Sequence, residues 1–408
     1  MEDKKKKKDE GSILPDEMIL FILLLLPIKS LMRFRCVNKT WLQLLTNDSH
    51  FAQLYLNQLI KNNNLSLLAL RKQEQTLVLH DETTLATIYS AVELRSSLVS
   101  SAIPLEVPFR STTTNSNSNS SYYVYGICNG LVLVGLPKEK KKLFIWNPFT
   151  NDYIHIPYPP IPYHGFDSEL CSDKGTNYLG FGFINNRYKV IRFCDCYSLP
   201  PYVGSNKHVS VYTLGVDSTW RNLEEIVYDD ILTDCIPPLV NGALHWNAST
   251  DSNSDSETIL SFDLKDEVFY EIPYPEYAGL NDQEIMYFNR IGELGGLLCM
   301  LGAAHSRENV EIWVMQQYGV ANSWIKTFTI GRPEVRVSFT SCLRPVGVTQ
   351  NREILLNDTG TGELILYNLE TSSVINLRRQ FGHHFYNAYT YTPCFISPRA
   401  ITGGRHIM

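Results

Sequence analysis

The chain has 408 residues, 44% of them apolar and 19% charged, which is enough for one small and one large hydrophobic core. Its formal net charge of −6 is uneven: residues 1 to 60 carry nine Lys or Arg against seven Asp or Glu, whereas residues 61 to 408 carry 27 against 35. An acidic large region argues against nucleic-acid binding, which needs a concentrated positive surface, and favours basic or neutral protein partners.

Nine of the first ten residues are charged, with a lysine run at Lys4 to Lys8. They read as a solvated, disordered tail, with a nuclear address as the alternative. The apolar run that follows does not make a secretory signal, because Asp9, Glu10, Asp16 and Glu17 intervene and no small-residue cleavage site comes before Lys29. No stretch approaches the ~20 apolar residues of a membrane span. Nine cysteines, at 36, 128, 171, 194, 196, 235, 299, 342 and 394, are odd in number and mostly set in apolar surroundings. They are expected to be reduced thiols in a cytoplasmic or nuclear protein.

Four helices are predicted next. Pro15 suits a helix start, where its missing N–H costs nothing, and Asp16 and Glu17 place negative charge at the positive end of the dipole. Met18 to Leu26 is apolar throughout, so this helix needs cover on more than one side. Pro27 ends it, and Ile28, Leu31, Met32 and Phe34 mark a short second helix. Val37, Trp41, Leu44 and Leu45 give the spacing of an amphipathic third, and Asn47, Asp48 and Ser49 offer capping side chains for a fourth carrying Phe51, Leu54 and Tyr55. A module of this size cannot bury so much apolar surface alone, so the remainder is expected to dock a partner.

The run LPDEMILFILLLLPIKSLMRFRCVNKTW, residues 14 to 41, resembles the F-box, the motif through which substrate receptors of cullin-RING ubiquitin ligases hold the adaptor Skp1. That resemblance implies that Leu14, Pro15, Ile22, Leu26, Pro27, Leu31 and Trp41 contact the adaptor or support the contacting surface. The other reading of these residues is a helical cap packed only on the chain's own second domain.

Beyond residue 60 the hydrophobic period changes to two. Strands are expected at 77–79, 122–125, 131–134, 143–146, 188–193, 209–214, 259–264, 268–272, 297–301, 310–315, 324–330, 353–356 and 364–369. A degenerate unit recurs among them: an apolar strand, a polar turn, then a strand carrying an aromatic residue. It reads LFIWNPFTNDYIHIP at 143–157, VSVYTLGVDSTWRNL at 209–223, ILSFDLKDEVFYEIP at 259–273, EIWVMQQYGVANSWIKTFTI at 311–330 and LILYNLETSSVINL at 364–377, with a weaker copy at 75–94. The steps between Trp146, Tyr212, Phe262, Trp313 and Leu366 are 66, 50, 51 and 53 residues. A period near ~50 with about four strands is that of a kelch-like β-propeller blade, here about six of them. The ring would be closed by a late strand at Tyr391 to Ser397; the alternative is a β-sandwich with evenly spaced hairpins.

These hairpins, together with GICNGLVLV (126–134), LGFGFINNRYKVIRF (179–193), VNGALHWNA (240–248) and LGGLLCM (294–300), are similar to the F-box-associated region of plant F-box proteins, including the S-locus type. The resemblance divides the chain into a tail (1–10), an F-box (11–60), a substrate-binding β domain (61–398) and a C-terminal tail (399–408). It implies a non-catalytic receptor that reaches cullin and a RING protein through the Skp1-type adaptor, with a protein target that the sequence leaves open. The alternatives are a scaffold outside a ligase, or a propeller enzyme.

For an enzyme the sequence offers little. His383 and His384 are adjacent, so on a strand they point to opposite faces; Cys194 and Cys196 lack a second pair at zinc spacing; His155, His208 and His245 are isolated. No cofactor is expected. Target contacts are expected on the inserts 158–176, 199–207, 247–257 and 274–284, with Tyr158, Tyr163, Tyr202, Tyr274 and Tyr277 as candidate anchors.

Overall fold

The computed structural model describes residues 14–61, 66–72, 87–95, 98–99, 103–105, 108, 123–136, 142–159, 177–195, 206–228, 230–232, 236–249, 257–276, 286–304, 309–331, 343–348, 352–376 and 385–403. The expected strand at 77–79, much of the weak unit at 75–94, His383, His384 and Cys196 lie outside these residues.

The described residues begin with four helices: α1 (Asp16–Leu25), α2 (Ile28–Phe34), α3 (Lys39–Asn47) and α4 (Ser49–Lys61). Pro15 and Pro27 stand one residue before α1 and α2 in extended conformation, so each proline sets a helix entry. Asn38, expected inside the third helix, instead caps it, its side-chain oxygen accepting the Trp41 N–H at 2.7 Å. Asp48 does the same for α4, accepting from the Phe51 N–H at 2.9 Å.

Among the described residues six antiparallel sheets follow as propeller blades, five of them runs of successive strands and one closed by the late strand Phe385–Tyr391. Blade 1 joins Phe385–Tyr391 to Ser66–Lys72 and Thr87–Arg95, with short edge pieces beyond. Blade 2 is Tyr123–Cys128, Leu131–Leu136, Lys142–Asn147 and Asp152–Ile156. Blade 3 runs from Asn177–Ile184 through Arg187–Asp195 and Asn206–Thr213 to the short outer strands at 221–227. Blade 4 is built on Ala243–Ser249, Glu257–Asp263 and Val268–Ile272, blade 5 spans Met286–Leu294 to Trp324–Gly331, and blade 6 spans Leu343–Val348 to Val374–Asn376. The ring is closed by Phe385–Tyr391 pairing with Ser66–Lys72, not by a strand at 391–397. Residues 392–397 form no strand, because they turn off the sheet toward the helices, as described below.

The repeated motifs now have physical meanings. Asn129-Gly130, Asn185-Asn186, Asn241-Gly242 and Gly295-Gly296 each join the first strand of a blade to its second, and all eight residues have positive φ. Two successive left-handed residues are what a tight hairpin turn of right-handed twist demands, which explains the Asn and Gly content. In the turns after third strands, Asn147, Asp263 and Asn368 accept backbone N–H groups two and three residues ahead. The fifth residue of each turn, Asn151, Glu267 or Ser372, again has positive φ.

Neighbouring blades are also tied by indole donors. Trp220 of blade 3 donates to the carbonyl of Pro157 at the end of blade 2 (2.7 Å), and Trp324 of blade 5 donates to that of Pro273 at the end of blade 4 (3.0 Å). Inner strands approach closely: a Cβ on Gly126 would lie 2.4 Å from Cβ of Phe181 on the next blade. At the seam with blade 1, Arg344 donates to the Ala388 carbonyl (2.7 Å) and Asn357 accepts the Ala388 N–H (3.1 Å), so two buried side chains of blade 6 hold the closing strand.

Candidate functional site

The site is built on α1. An apolar helix of ten residues has to hide one side, and Leu23 is fully buried, with Ile19, Leu20 and Leu24 packed half-buried beside it. The opposite side is left to solvent. Met18, Phe21, Ile22 and Leu25, at steps of three, one and three residues, form a single stripe, and Leu14, two residues ahead of the helix, is exposed as well. Their exposure runs from 42% at Ile22 to 58% at Phe21 and Leu25, far too much apolar surface in one place to be incidental.

Behind the stripe is a rigid support. Leu31 and Leu56 are completely buried and Leu45, Phe51 and Tyr55 nearly so. The Tyr55 hydroxyl donates to the Leu26 carbonyl at 2.9 Å, pinning the end of α1, and the Trp41 ring packs 5.4 Å from that of Phe34. Of the residues expected at the adaptor surface, Leu14, Pro15, Ile22 and Pro27 are exposed, Leu26 and Trp41 are half-buried, and Leu31 lies wholly inside as a support. Met18, Phe21 and Leu25 belong to the exposed stripe but were not picked out in the sequence. An all-apolar run does not show which face is free; counting helical steps of three and four from Ile22 would have found Met18 and Leu25.

The helices rest on the propeller. The Phe395 ring lies 6.1 Å from Phe51 and 5.6 Å from Tyr55 of α4, and 5.6 Å from Phe149 in the turn of blade 2. These residues belong to one continuous core with Cys128, Tyr188, Leu214 and Cys394. The contact is made at the end of the ring that carries the tight first-to-second and third-to-fourth turns of blades 2 and 3. Strands flanking all four inserts expected to face a target, 158–176, 199–207, 247–257 and 274–284, end on the opposite side.

Of the candidate target anchors, Tyr158 and Tyr274 are described and both are half-buried. Each follows a blade-ending proline whose carbonyl an indole holds, and each packs against a core cluster. Tyr163, Tyr202 and Tyr277 lie outside the described residues.

The isolated histidines have ordinary partners. His245 is buried between blades 4 and 5, with Nδ1 3.2 Å from the Pro238 carbonyl and Nε2 2.8 Å from the Tyr318 hydroxyl. Burial pushes its pKa down to about 4. His208 lies 2.9 Å from Glu225. Cys128, Cys194, Cys299 and Cys394 are buried free thiols, and Cys36 is exposed. Burial raises Cys128 and Cys394 to about 12, which suppresses the reactive thiolate. Among the described residues no group of three or more His, Cys, Asp or Glu is placed to hold a metal ion.

Comparison with known proteins matches residues 12–52 to the F-box domain and residues 76–387 to the F-box associated beta propeller domain. An Arabidopsis thaliana F-box protein is 27% identical over 358 residues, covering 83% of this chain and 78% of its own length. The Arabidopsis F-box protein CPR1 is 25% identical over 381 residues, 90% of this chain and 84% of its own. An Arabidopsis F-box/kelch-repeat protein is 27% identical over 350 residues, 84% and 85% of the two chains.

Proposed function

The chain belongs to the F-box associated beta propeller family, and from that premise we propose that it is the substrate-recognition subunit of a Skp1–cullin–F-box ubiquitin ligase. The observation that carries this reading is the stripe of Met18, Phe21, Ile22 and Leu25, an apolar face on a buried scaffold within the F-box, with Leu14 exposed just ahead of it. A Skp1-type adaptor covers that stripe and connects the chain to cullin and the RING protein.

On this reading the chain makes and breaks no bonds. It raises the effective concentration of a target lysine beside a ubiquitin-loaded enzyme, which is catalysis by proximity. The target is held at the end of the ring away from the F-box, where the strands flanking the four long inserts converge. A mildly acidic domain, with 27 basic against 35 acidic residues beyond position 60, fits a target with a basic surface. The tyrosines at 158, 163, 202, 274 and 277 remain candidate contacts, and the division into residues 11–60 and 61–398 is part of the same proposal. The protein works in the cytoplasm or nucleus, which a fluorescent fusion checks directly.

The test uses the full-length chain carrying Phe21→Asp and Leu25→Asp, which keeps the propeller but spoils the stripe. Expressed beside the wild type, it should trap its target, and mass spectrometry should find proteins that co-purify with the variant and accumulate in its presence. If such proteins accumulate equally with the wild type, the receptor reading fails.

A further inference from the structure

We propose that the C-terminal segment from Thr392 to Ile401 is a clasp that sets the angle between the F-box and the propeller, with Phe395 as its pin. The argument starts from the place of the segment in the chain. Residues 385–391 close blade 1, and the chain then leaves the sheet and crosses the face on which α4 rests.

Three sets of contacts hold it there. The buried side chain of Asn147 donates to the carbonyls of Cys394 (3.0 Å) and Ile396 (2.8 Å). The Cys394 thiol donates to the Asn129 carbonyl (3.1 Å), and the turn at Gly130 admits the segment because a Cβ there would lie 2.4 Å from the Thr392 carbonyl. Beyond Phe395, Ser397 caps the short helix Pro398–Ile401 and also donates to Asp152, whose other oxygen pairs with Arg399 at 2.9 Å.

So fixed to blade 2, the segment offers one large side chain to the helices. Phe395 is 4% exposed and stands between the rings of Phe51 and Tyr55 on one side and Phe149 on the other. An aromatic wedge held by hydrogen bonds on one side and ring packing on the other resists rotation of the helices on the ring. The strand that closes the ring, Phe385–Tyr391, thus runs directly into the segment that seats the F-box. Phe395 is therefore a positioning residue: it touches neither adaptor nor target, and it fixes the distance between them. This consequence rests on the receptor reading; the clasp itself does not.

The test measures the distance between spin labels on the native, exposed Cys36 and on Val216→Cys in the full-length chain, with the cysteines at 171, 196, 235 and 342 replaced by serine. The wild type should give one narrow distribution. Phe395→Ala should at least double its width, Asn147→Ala should broaden it as well, and Phe395→Leu should restore most of the order. Adaptor affinity, measured in parallel, should stay within twofold in all variants. A distribution equally narrow in Phe395→Ala overturns the clasp. So does one that is broad already in the wild type. Loss of adaptor binding by the wild type would sink the receptor reading while leaving the distance result intact. If Phe395→Ala unfolds, Asn147→Ala and Phe395→Leu decide the outcome by the same widths.

Discussion

The Asn147 side chain donates to the carbonyl oxygens of Cys394 and Ile396, residues 247 and 249 positions further along the chain. Its oxygen meanwhile accepts the N–H groups of Phe149 and Thr150, so one fully buried amide organises its own turn and holds the end of the chain. Removing it strands several backbone groups away from water. Asn147→Ala should cost about 2–3 kcal/mol, read as a lower urea midpoint at unchanged slope. Asn147→Asp should be no better, because a carboxylate cannot donate to two carbonyls. A midpoint unchanged in both variants would show that the amide is not the anchor.

The indole bonds between blades make a second prediction. Trp220→Phe and Trp324→Phe keep a ring while removing the donor to the carbonyl of Pro157 or Pro273. Each should destabilise by about 1–2 kcal/mol. The two sites share no partners, so the double variant should show the sum to within about 0.5 kcal/mol. A strongly non-additive result in chemical denaturation would mean that the ring transmits strain from one seam to the other.

These seams also show what the sequence could and could not reveal. The tight turns were legible because Asn and Gly in pairs, and Asn or Asp at the start of a longer turn, satisfy the local backbone without help from elsewhere. The third and fourth strands of the blades were legible from alternation. The strand Leu343–Val348 was missed because Pro345 and Gly347 break the strand signal, and the structure tolerates them at a bulge between those two residues. The closing strand was placed six residues too late. Both 385–391 and 391–397 are aromatic and β-rich, and the choice is made by pairing with Ser66–Lys72, a contact more than 300 residues away in sequence. The free face of α1 was hidden for a similar reason: burial of Leu23 rather than Phe21 is decided by α2 to α4, not by the apolar run itself.

A pH dependence follows from His245. Its folded value is about 4 against an ordinary 6.5, so between these values the unfolded chain holds the proton and the folded chain does not. Stability is therefore complete above about 6.5 and falls as the pH drops toward about 4. The slope contributed by this group is at most ~1.4 kcal/mol per pH unit. Comparing unfolding at several pH values in that window, His245→Asn should flatten the curve relative to the wild type. An unchanged slope in the variant would assign the acid sensitivity to other groups.

Within the F-box, exposed and buried positions should separate cleanly. Phe21→Asp and Leu25→Asp replace side chains that are 58% exposed, so the melting temperature should barely move. Leu31→Ala empties a fully buried site and should cost ~2–5 kcal/mol, unfolding the helices rather than merely altering their surface. Circular dichroism with thermal melting distinguishes the two behaviours, and destabilisation by the exposed pair would contradict the assignment of that face.

The most direct test of the receptor function is binding of a purified Skp1-type adaptor to the full-length chain and to its Phe21→Asp, Leu25→Asp variant, by calorimetry with folding checked in parallel. The stripe predicts a one-to-one complex with the wild type and no measurable complex with the equally well-folded variant. Adaptor binding that survives the double substitution, or is absent from the wild type, would contradict it.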